Sequence, residues 1–369
     1  MIKSDIIFTG FYGQLNTGDD AFVEVASWGA NKIWEKERCR FLAVQSKLPD
    51  TIVPSKGYPI RFPKTYDFQK NILINNTDYL ISAGGSTIHS QLNSNNPKQI
   101  ALNLKKKRSL IKIGAIGVSI GPFKTVADEK AVQDYLKSID FIAVRDQRSF
   151  DFVSSVNTPY LPVNAFDLAA MLPEIYMSTN LQPFQKKTIG ISVCPYESVH
   201  NGGDLKNEER RNNQIIALIK DLDKKGDFHF KFFIINGNSR VGDLKLTNQI
   251  IKAANPKNFS VNKYNTNTRK VWEEINKCNT VISTRLHGAI FACFGQTPFM
   301  LVEYHQKCAD FLEDVGYDES ARIFDAEFDI QEKSDIILSW CANASSYNLP
   351  KLLNEKIIQS KLNFDSIKL

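Results

Sequence analysis

The chain has 369 residues, 43% of them hydrophobic and 23% charged, enough to build two domains around sizeable cores and unlike any disordered, collagenous or disulfide-stapled class. Its 46 Lys and Arg against 40 Asp and Glu leave a net charge of +6, a mild excess that suits an anionic ligand or membrane surface and falls short of a nucleic-acid signature, so no nucleic-acid partner is expected. The six cysteines (Cys39, Cys194, Cys278, Cys293, Cys308 and Cys341) are scattered without a C-x-x-C pair, which argues against a disulfide framework or zinc site and predicts free thiols in a reducing cytoplasm.

Residues 1–5 run straight into the short apolar stretch Ile6, Ile7, Phe8 and lack the basic, apolar and small-residue segments of a signal peptide. No apolar run approaches the ~20 residues that span a bilayer, so any membrane contact is expected to be peripheral. Short apolar runs at residues 5–9, 41–44, 79–83, 111–119 and 141–145 alternate with amphipathic helical stretches, the pattern of βα units around a parallel sheet. The pattern restarts at 188–193, 230–236, 280–283 and 298–302 after an interruption near 176–187. Two similar α/β lobes are therefore predicted, 1–180 and 181–345. A tail follows at 346–369, where Leu352, Leu353, Ile357, Ile358 and Leu362 recur at helical spacing, giving a terminal helix docked on a lobe.

Several connections carry chemistry. Gly10 to Ala21 holds three glycines and Asn16 between a strand and a helix, with Asp19 or Asp20 placed to cap that helix. Such a loop binds a ligand at the carboxyl end of a strand or is a tight connection with a capping aspartate. The strand at 79–83 opens onto Gly84, Gly85, Ser86 and Thr87, bare backbone able to bind an anion, or a plain turn. His89 follows, more in keeping with a solvent-facing or helix-packed ring than with a ligand. The basic run 105–108 reads as a solvated helix face, with anionic lipid as the minority reading. Arg145 ends an apolar strand, suited to a bidentate grip on phosphate or carboxylate or to an ion pair with a neighbouring carboxylate, and Asp146 can cap the next helix.

The densest segment is Ser283-Thr284-Arg285-Leu286-His287-Gly288, followed by Gly295 and Pro298. A cationic and a titratable side chain converge there at the start of an apolar helix, where the macrodipole assists anion binding, and a functional pair is expected. After the next strand, Tyr304, His305 and Lys307 either line the same cleft or form a solvated loop.

Taken together, Gly-x-x-Asn-x-Gly-Asp, Gly-Gly after a strand, Arg-Asp-x-x-Ser and Arg-Leu-His-Gly resemble the polysaccharide pyruvyl transferase family, in the family's order from about residue 6 to 316. Ser86 and Gln306 depart from the pattern, standing where many relatives have a third glycine and a different residue before the lysine. The resemblance implies a GT-B-like pair of Rossmann-like lobes facing a cleft, the first on the acceptor side and the second on the donor side. It implies transfer of a pyruvyl group from phosphoenolpyruvate to a sugar of a cell-surface polysaccharide or its lipid-linked precursor, forming a ketal and releasing phosphate. Capsule or exopolysaccharide assembly at the cytoplasmic face of a membrane goes with that reading. No motif requires a metal or further cofactor.

On this reading His287 protonates the donor methylene, the step that makes the adjacent carbon electrophilic. Arg285 and Arg145 clamp the carboxylate and phosphate. Lys307 neutralises departing phosphate, Gly84, Gly85, Ser86 and Leu286 complete the donor site, and Asn16, Asp19 and Tyr304 orient acceptor hydroxyls. The competing expectations are a glycosyltransferase with a nucleotide-sugar donor, or a non-catalytic glycan-binding protein. The acceptor sugar, its hydroxyl pair and the oligomeric state are left open by sequence.

Overall fold

A computed structural model describes residues 3–108, 110–177, 181–199, 203–325 and 327–369. Part of the predicted interruption, residues 178–180, lies outside the described residues.

Two parallel six-stranded sheets carry the fold. The first holds β1 (Ser4–Thr9), β2 (Cys39–Phe41), β3 (Thr77–Ile88), β4 (Lys112–Ile120), β5 (Phe141–Val144) and β6 (Val163–Asn164), in the order β2-β1-β3-β4-β5-β6. The second holds β7 (Thr188–Ser192), β8 (His229–Phe233), β9 (Phe259–Asn262), β10 (Thr280–Ser283), β11 (Phe299–Glu303) and β12 (Ile323–Phe324), in the order β12-β11-β10-β7-β8-β9. Helices cross between strands, as parallel pairing requires. Strand order reverses between β1 and β3 in the first sheet and between β7 and β10 in the second. At such reversals the loops leaving neighbouring strands diverge and open a crevice at the carboxyl ends. The Gly10–Asn16 loop leaves β1 and the Arg285–His287 segment leaves β10, so the two richest motifs sit at the two switch points.

Alternation along β1 sends Ile7 into one core, with Leu80, Ile113, Val118, Ile142 and Val144, and Ile6 and Phe8 into another. That second core continues into the second lobe. Phe166 meets Phe294 and Phe311 at ring separations of 5.9 and 6.5 Å, and Tyr176 meets Trp272 at 6.2 Å. The lobes are thus joined by packed hydrocarbon as well as by chain.

Three short edge strands, β6, β9 and β12, escaped the sequence pattern because each is too brief to show alternation. The Gly84-Gly85 pair corrects another expectation: it lies inside β3, which continues to Ile88. Both glycines have positive φ, +76° and +75°, and a side chain on Gly84 would strike the Phe22 ring at 2.2 Å. The tail forms the predicted helix, Leu353–Asp365, and docks on the first lobe. Asn363 accepts from Gly117 N–H (2.6 Å) and donates to the Phe166 carbonyl (2.8 Å), while Trp34 Nε1 donates to the carbonyls of Phe364 and Ile367, both at 3.0 Å.

Candidate active site

The first loop is stitched to the second lobe. Thr17 N–H donates to the Ile235 carbonyl (2.9 Å), Gly237 N–H to that of Leu15 (2.8 Å), and Asn16 bridges Asn236. Asn16, not Asp19 or Asp20, caps the helix Thr17–Lys32 by accepting from Gly18 N–H at 3.1 Å. Asp146 does cap its helix, accepting from Ser149 N–H at 2.8 Å.

Gly18 brings the lobes into contact. His287, at the start of the helix Leu286–Phe294, lies so close to it that a Cβ on Gly18 would meet the imidazole at 2.3 Å. Phe22 packs edge-on to the same ring at 5.2 Å. The ring is held between first-lobe helix and second-lobe switch point, with its buried Nε2 unpartnered among the described residues. Gly18→Ala should cost about 1–3 kcal/mol through overpacking. In a His287→Ala background most of that cost should vanish, because the clash is with the ring. Urea melts of both single variants and the double variant measure the difference, and equal costs in the two backgrounds would show that the residues do not touch.

Cations surround the ring. Arg145 donates from Nε to Ser119 Oγ (2.6 Å) and from Nη1 to Asp167 (2.7 Å), the ion pair expected from sequence as the alternative to a clamp. Arg285 donates through Nε (2.9 Å) and Nη2 (2.5 Å) to one oxygen of Asp243, a fully buried carboxylate. Lys307 lies among them with no carboxylate in ion-pair range among the described residues, and burial lowers its pKa. Burial also pushes His287 down to about 4; Asp167 opposes this shift, and Arg145, Lys307 and Arg285 add to it. Asp19 is raised to about 7, again by burial, with Arg145, Lys307, Asn16 and Arg285 pulling the other way. Asp167 and Asp243 pair with two of the three cations, so Lys307 is the positive charge that no carboxylate among the described residues pairs with.

An interlobe cavity of about 330 Å³ opens beside this cluster, within the usual range for small-molecule sites, ~300–1,000 Å³. Ser86, Arg145, Asp167, Leu286 and Lys307 line it, with Phe166 and Phe311 as apolar wall and Arg148, Asp310 and Asp314 at the other side. Arg148 pairs with Asp310 across the lobes. His287, Arg285 and Asp19 do not line the cavity, although Leu286 between the first two does. Gly84 and Gly85 also lie away from it, leaving Ser86 as that segment's contribution. Tyr304 is packed between Tyr196 (4.9 Å) and the Arg211 guanidinium (5.2 Å), and its hydroxyl pairs with Cys194, so it too is not at the cavity surface. His305 lines the cavity and caps the helix Gln306–Val315 by accepting from Lys307 N–H at 3.2 Å, whereas His89 lies beside Asp128 rather than in the cleft. No group of three or more His, Cys, Asp or Glu is placed to hold a metal ion among the described residues.

A model of polysaccharide pyruvyl transferases matches residues 16–306, most of the chain, including Asp19, Arg145, Asp167, Asp243, Arg285 and His287 and ending one residue before Lys307. The chain belongs to the polysaccharide pyruvyl transferase family. Among curated proteins none matches. Similar solved structures include MnaA of S. aureus with UDP, at 10% identity, TM-score 0.59 and 99% coverage of both chains. The UDP-GlcNAc 2-epimerase of Neisseria meningitidis bound to UDP-GlcNAc has 10% identity and TM-score 0.58, covering 99% of this chain and 98% of its own. HepE of Anabaena with UDP-glucose has 10% identity and TM-score 0.55, covering 98% and 96%. At such identity the likeness is one of fold: two Rossmann-like lobes in a GT-B-like arrangement.

Sequence reasoning about this pyruvyl transferase family member missed the two aspartates that hold the arginines. Asp167 follows β6 and Asp243 precedes the helix Leu244–Ala254, in segments with no local pattern to mark them. A second pair of buried acids faces away from the cavity. Asp20 accepts from the Tyr264 hydroxyl (2.7 Å), and Glu24 from Ile52 N–H (2.9 Å) and the Tyr176 hydroxyl (3.3 Å). Burial raises each to about 7. A carboxyl raised on folding stabilises the folded state fully below its ordinary pKa, and the contribution is lost as pH rises through about 7. Asp20→Asn should therefore raise the melting temperature at pH 8 by about 2–4 °C and leave it nearly unchanged at pH 5, as thermal melts at the two pH values would show.

Proposed function

We propose that the cleft transfers the pyruvyl group of phosphoenolpyruvate to a saccharide acceptor as a ketal, releasing phosphate. The observation that carries this reading is Lys307, a half-buried ammonium with no carboxylate in ion-pair range among the described residues, lining a cavity beside Arg145 and the His287–Arg285 switch point. A buried ion costs several kcal/mol unless an opposite charge offsets it, and a donor bearing carboxylate and phosphate within three carbons supplies that charge.

The chemistry follows from the donor. Protonation of its methylene carbon leaves a cation on the adjacent carbon, delocalised onto the phosphate-bearing oxygen. A sugar hydroxyl adds there and loses its proton. Expulsion of phosphate regenerates a carbocation, and a second hydroxyl closes the ketal with loss of the second proton. His287 is the proton donor in this scheme, which requires the donor methylene to reach the ring past the residues that line the cavity. Its depressed pKa belongs to the site without donor; negative charge placed beside the ring favours the imidazolium and lifts it. Arg145 and Lys307, which line the cavity, hold the anionic groups, with Arg285 adding positive charge from outside the lining; Asp19, raised by burial, is suited to take the acceptor proton once an acceptor reaches it.

Purified protein incubated with phosphoenolpyruvate and a panel of lipid-linked or aryl galactosides, glucosides and N-acetylmannosaminides should yield, by mass spectrometry, a product heavier by one pyruvate minus water, with equimolar phosphate. Release of nucleoside diphosphate from a nucleotide-sugar donor, without phosphate release from phosphoenolpyruvate, would replace this reading by glycosyl transfer.

A further inference from the structure

Ile60, Phe62 and Phe68 expose 56%, 54% and 66% of their surfaces, and the corner that carries them is built rather than loose. Gln69 accepts from Ile60 N–H (2.9 Å) and donates to the Ile60 carbonyl (2.9 Å) and to Thr65 Oγ1 (2.7 Å). Thr65 donates through its N–H (2.9 Å) and hydroxyl (2.7 Å) to the Phe62 carbonyl, and Tyr58 stacks on Tyr66 at 4.9 Å. Three large apolar side chains are thereby fixed in water, which is unfavourable for the isolated chain and marks an interaction surface.

The surface is basic as well. Residues 47–70 hold five Lys or Arg and two Asp. Asp67 is paired with Lys70 at 2.8 Å, and Lys56, Arg61 and Lys64 are exposed with no carboxylate in ion-pair range among the described residues. Position in the fold matters too. The helix Tyr66–Asn75 leads into the amino end of β3, so its own amino end, with Ile60 and Phe62, lies at the carboxyl ends of the strands, where the cleft opens. The basic run at 105–108, which sequence raised as a minority lipid contact, ends the helix Pro97–Arg108 at the opposite end of the sheet, just before β4. Lys105 there is taken up by Asp140 and the Ser138 carbonyl.

We propose that this corner docks the first lobe on an anionic phospholipid bilayer, with Ile60, Phe62 and Phe68 entering the interface and Lys56, Arg61 and Lys64 meeting the headgroups. Charge selects this occupant over a second copy of the chain, since a symmetric self-contact would set the same basic side chains against each other. An anionic leaflet attracts each of them, and the apolar residues bury in the headgroup boundary. Docking stands on this surface whatever the cleft does; under the proposed reaction it brings the cleft mouth to the membrane where a lipid-linked acceptor would be.

The test is co-sedimentation of the full chain with phosphatidylglycerol/phosphatidylcholine vesicles and with phosphatidylcholine alone. Wild type should bind the anionic vesicles and release in high salt. Arg61→Glu/Lys64→Glu should weaken binding about tenfold or more, Phe62→Ser/Phe68→Ser by a similar factor, and Lys106→Glu/Lys107→Glu should bind as wild type. All variants should keep the wild-type melting temperature and turnover of a water-soluble acceptor. Absence of wild-type binding, equal binding to both vesicle types, or loss only in the Lys106/Lys107 variant overturns docking at this corner. So does a wild-type dimer, seen by sedimentation velocity, that Phe62→Ser/Phe68→Ser splits, which would make the patch a self-interface. Vesicle binding without pyruvyl transfer to any acceptor would leave docking intact and end the proposed reaction instead.

Discussion

His287→Ala should lower turnover about 10²- to 10⁴-fold, the range over which a positioned proton donor acts, while the protein stays folded. The ring makes no hydrogen bond through Nε2, and its packing is confined to Gly18, Phe22 and their neighbours, so truncation should cost only roughly 1–3 kcal/mol of stability. Two pH effects separate the histidine's roles. With no donor bound, its pKa is depressed from 6.5 to about 4, so the unfolded chain binds the proton more tightly. Its share of stability is complete above about pH 6.5 and is lost as pH falls through 4; His287→Ala should remove that acid-side loss in thermal melts. With donor bound, the imidazolium is favoured, and the turnover number of the wild type should fall as pH rises through a value well above 4. The variant should lose that alkaline limb. Near-normal turnover in purified His287→Ala would take the histidine out of the acid role.

Arg285→Lys should lower kcat/KM for phosphoenolpyruvate by on the order of 100-fold. Lysine keeps the charge but not the fork that sends Nε and Nη2 to a single oxygen of Asp243, so the cation would be held less firmly and in a different place. Asp243 also accepts from Asn236 N–H at 2.8 Å and is fully buried, which limits how far it can follow the shorter reach of a lysine. A weakened buried pair should lower stability as well, by about 1–3 kcal/mol. If Arg285 served the fold alone, the variant would melt earlier while its folded fraction kept the wild-type kcat/KM. Measuring both quantities on one preparation distinguishes the two cases.

Local chemistry made much of this molecule readable in advance. Parallel strands such as Thr188–Ser192 and Thr280–Ser283 are buried on both faces and show as continuous apolar runs, while β6, with two residues, offers nothing to detect. The loop glycines were visible as such, yet the reason Gly18 must be small is the His287 ring, which comes from 269 positions further along the chain. Gly84 looked like the start of a turn because glycine usually ends a strand, but β3 runs on past it to Ile88, and the missing side chain makes room for the Phe22 ring. Asn16 took the capping role from its aspartate neighbours because the helix begins one turn earlier than those aspartates imply.

By itself, then, the order of residues determined two α/β lobes, the family, and the Gly-Asp and Arg-Leu-His segments as loops that leave strands, because each is written in consecutive residues and in periodicities that a strand or helix imposes. Only the tertiary structure decided which charges survive to act. Asp167 and Asp243 take up two arginines, burial lowers the pKa of His287 and raises that of Asp19, and Lys307 has no carboxylate in ion-pair range among the described residues. Those outcomes depend on distance and on exclusion of water between segments remote in the chain, and neither is encoded in any local run of residues.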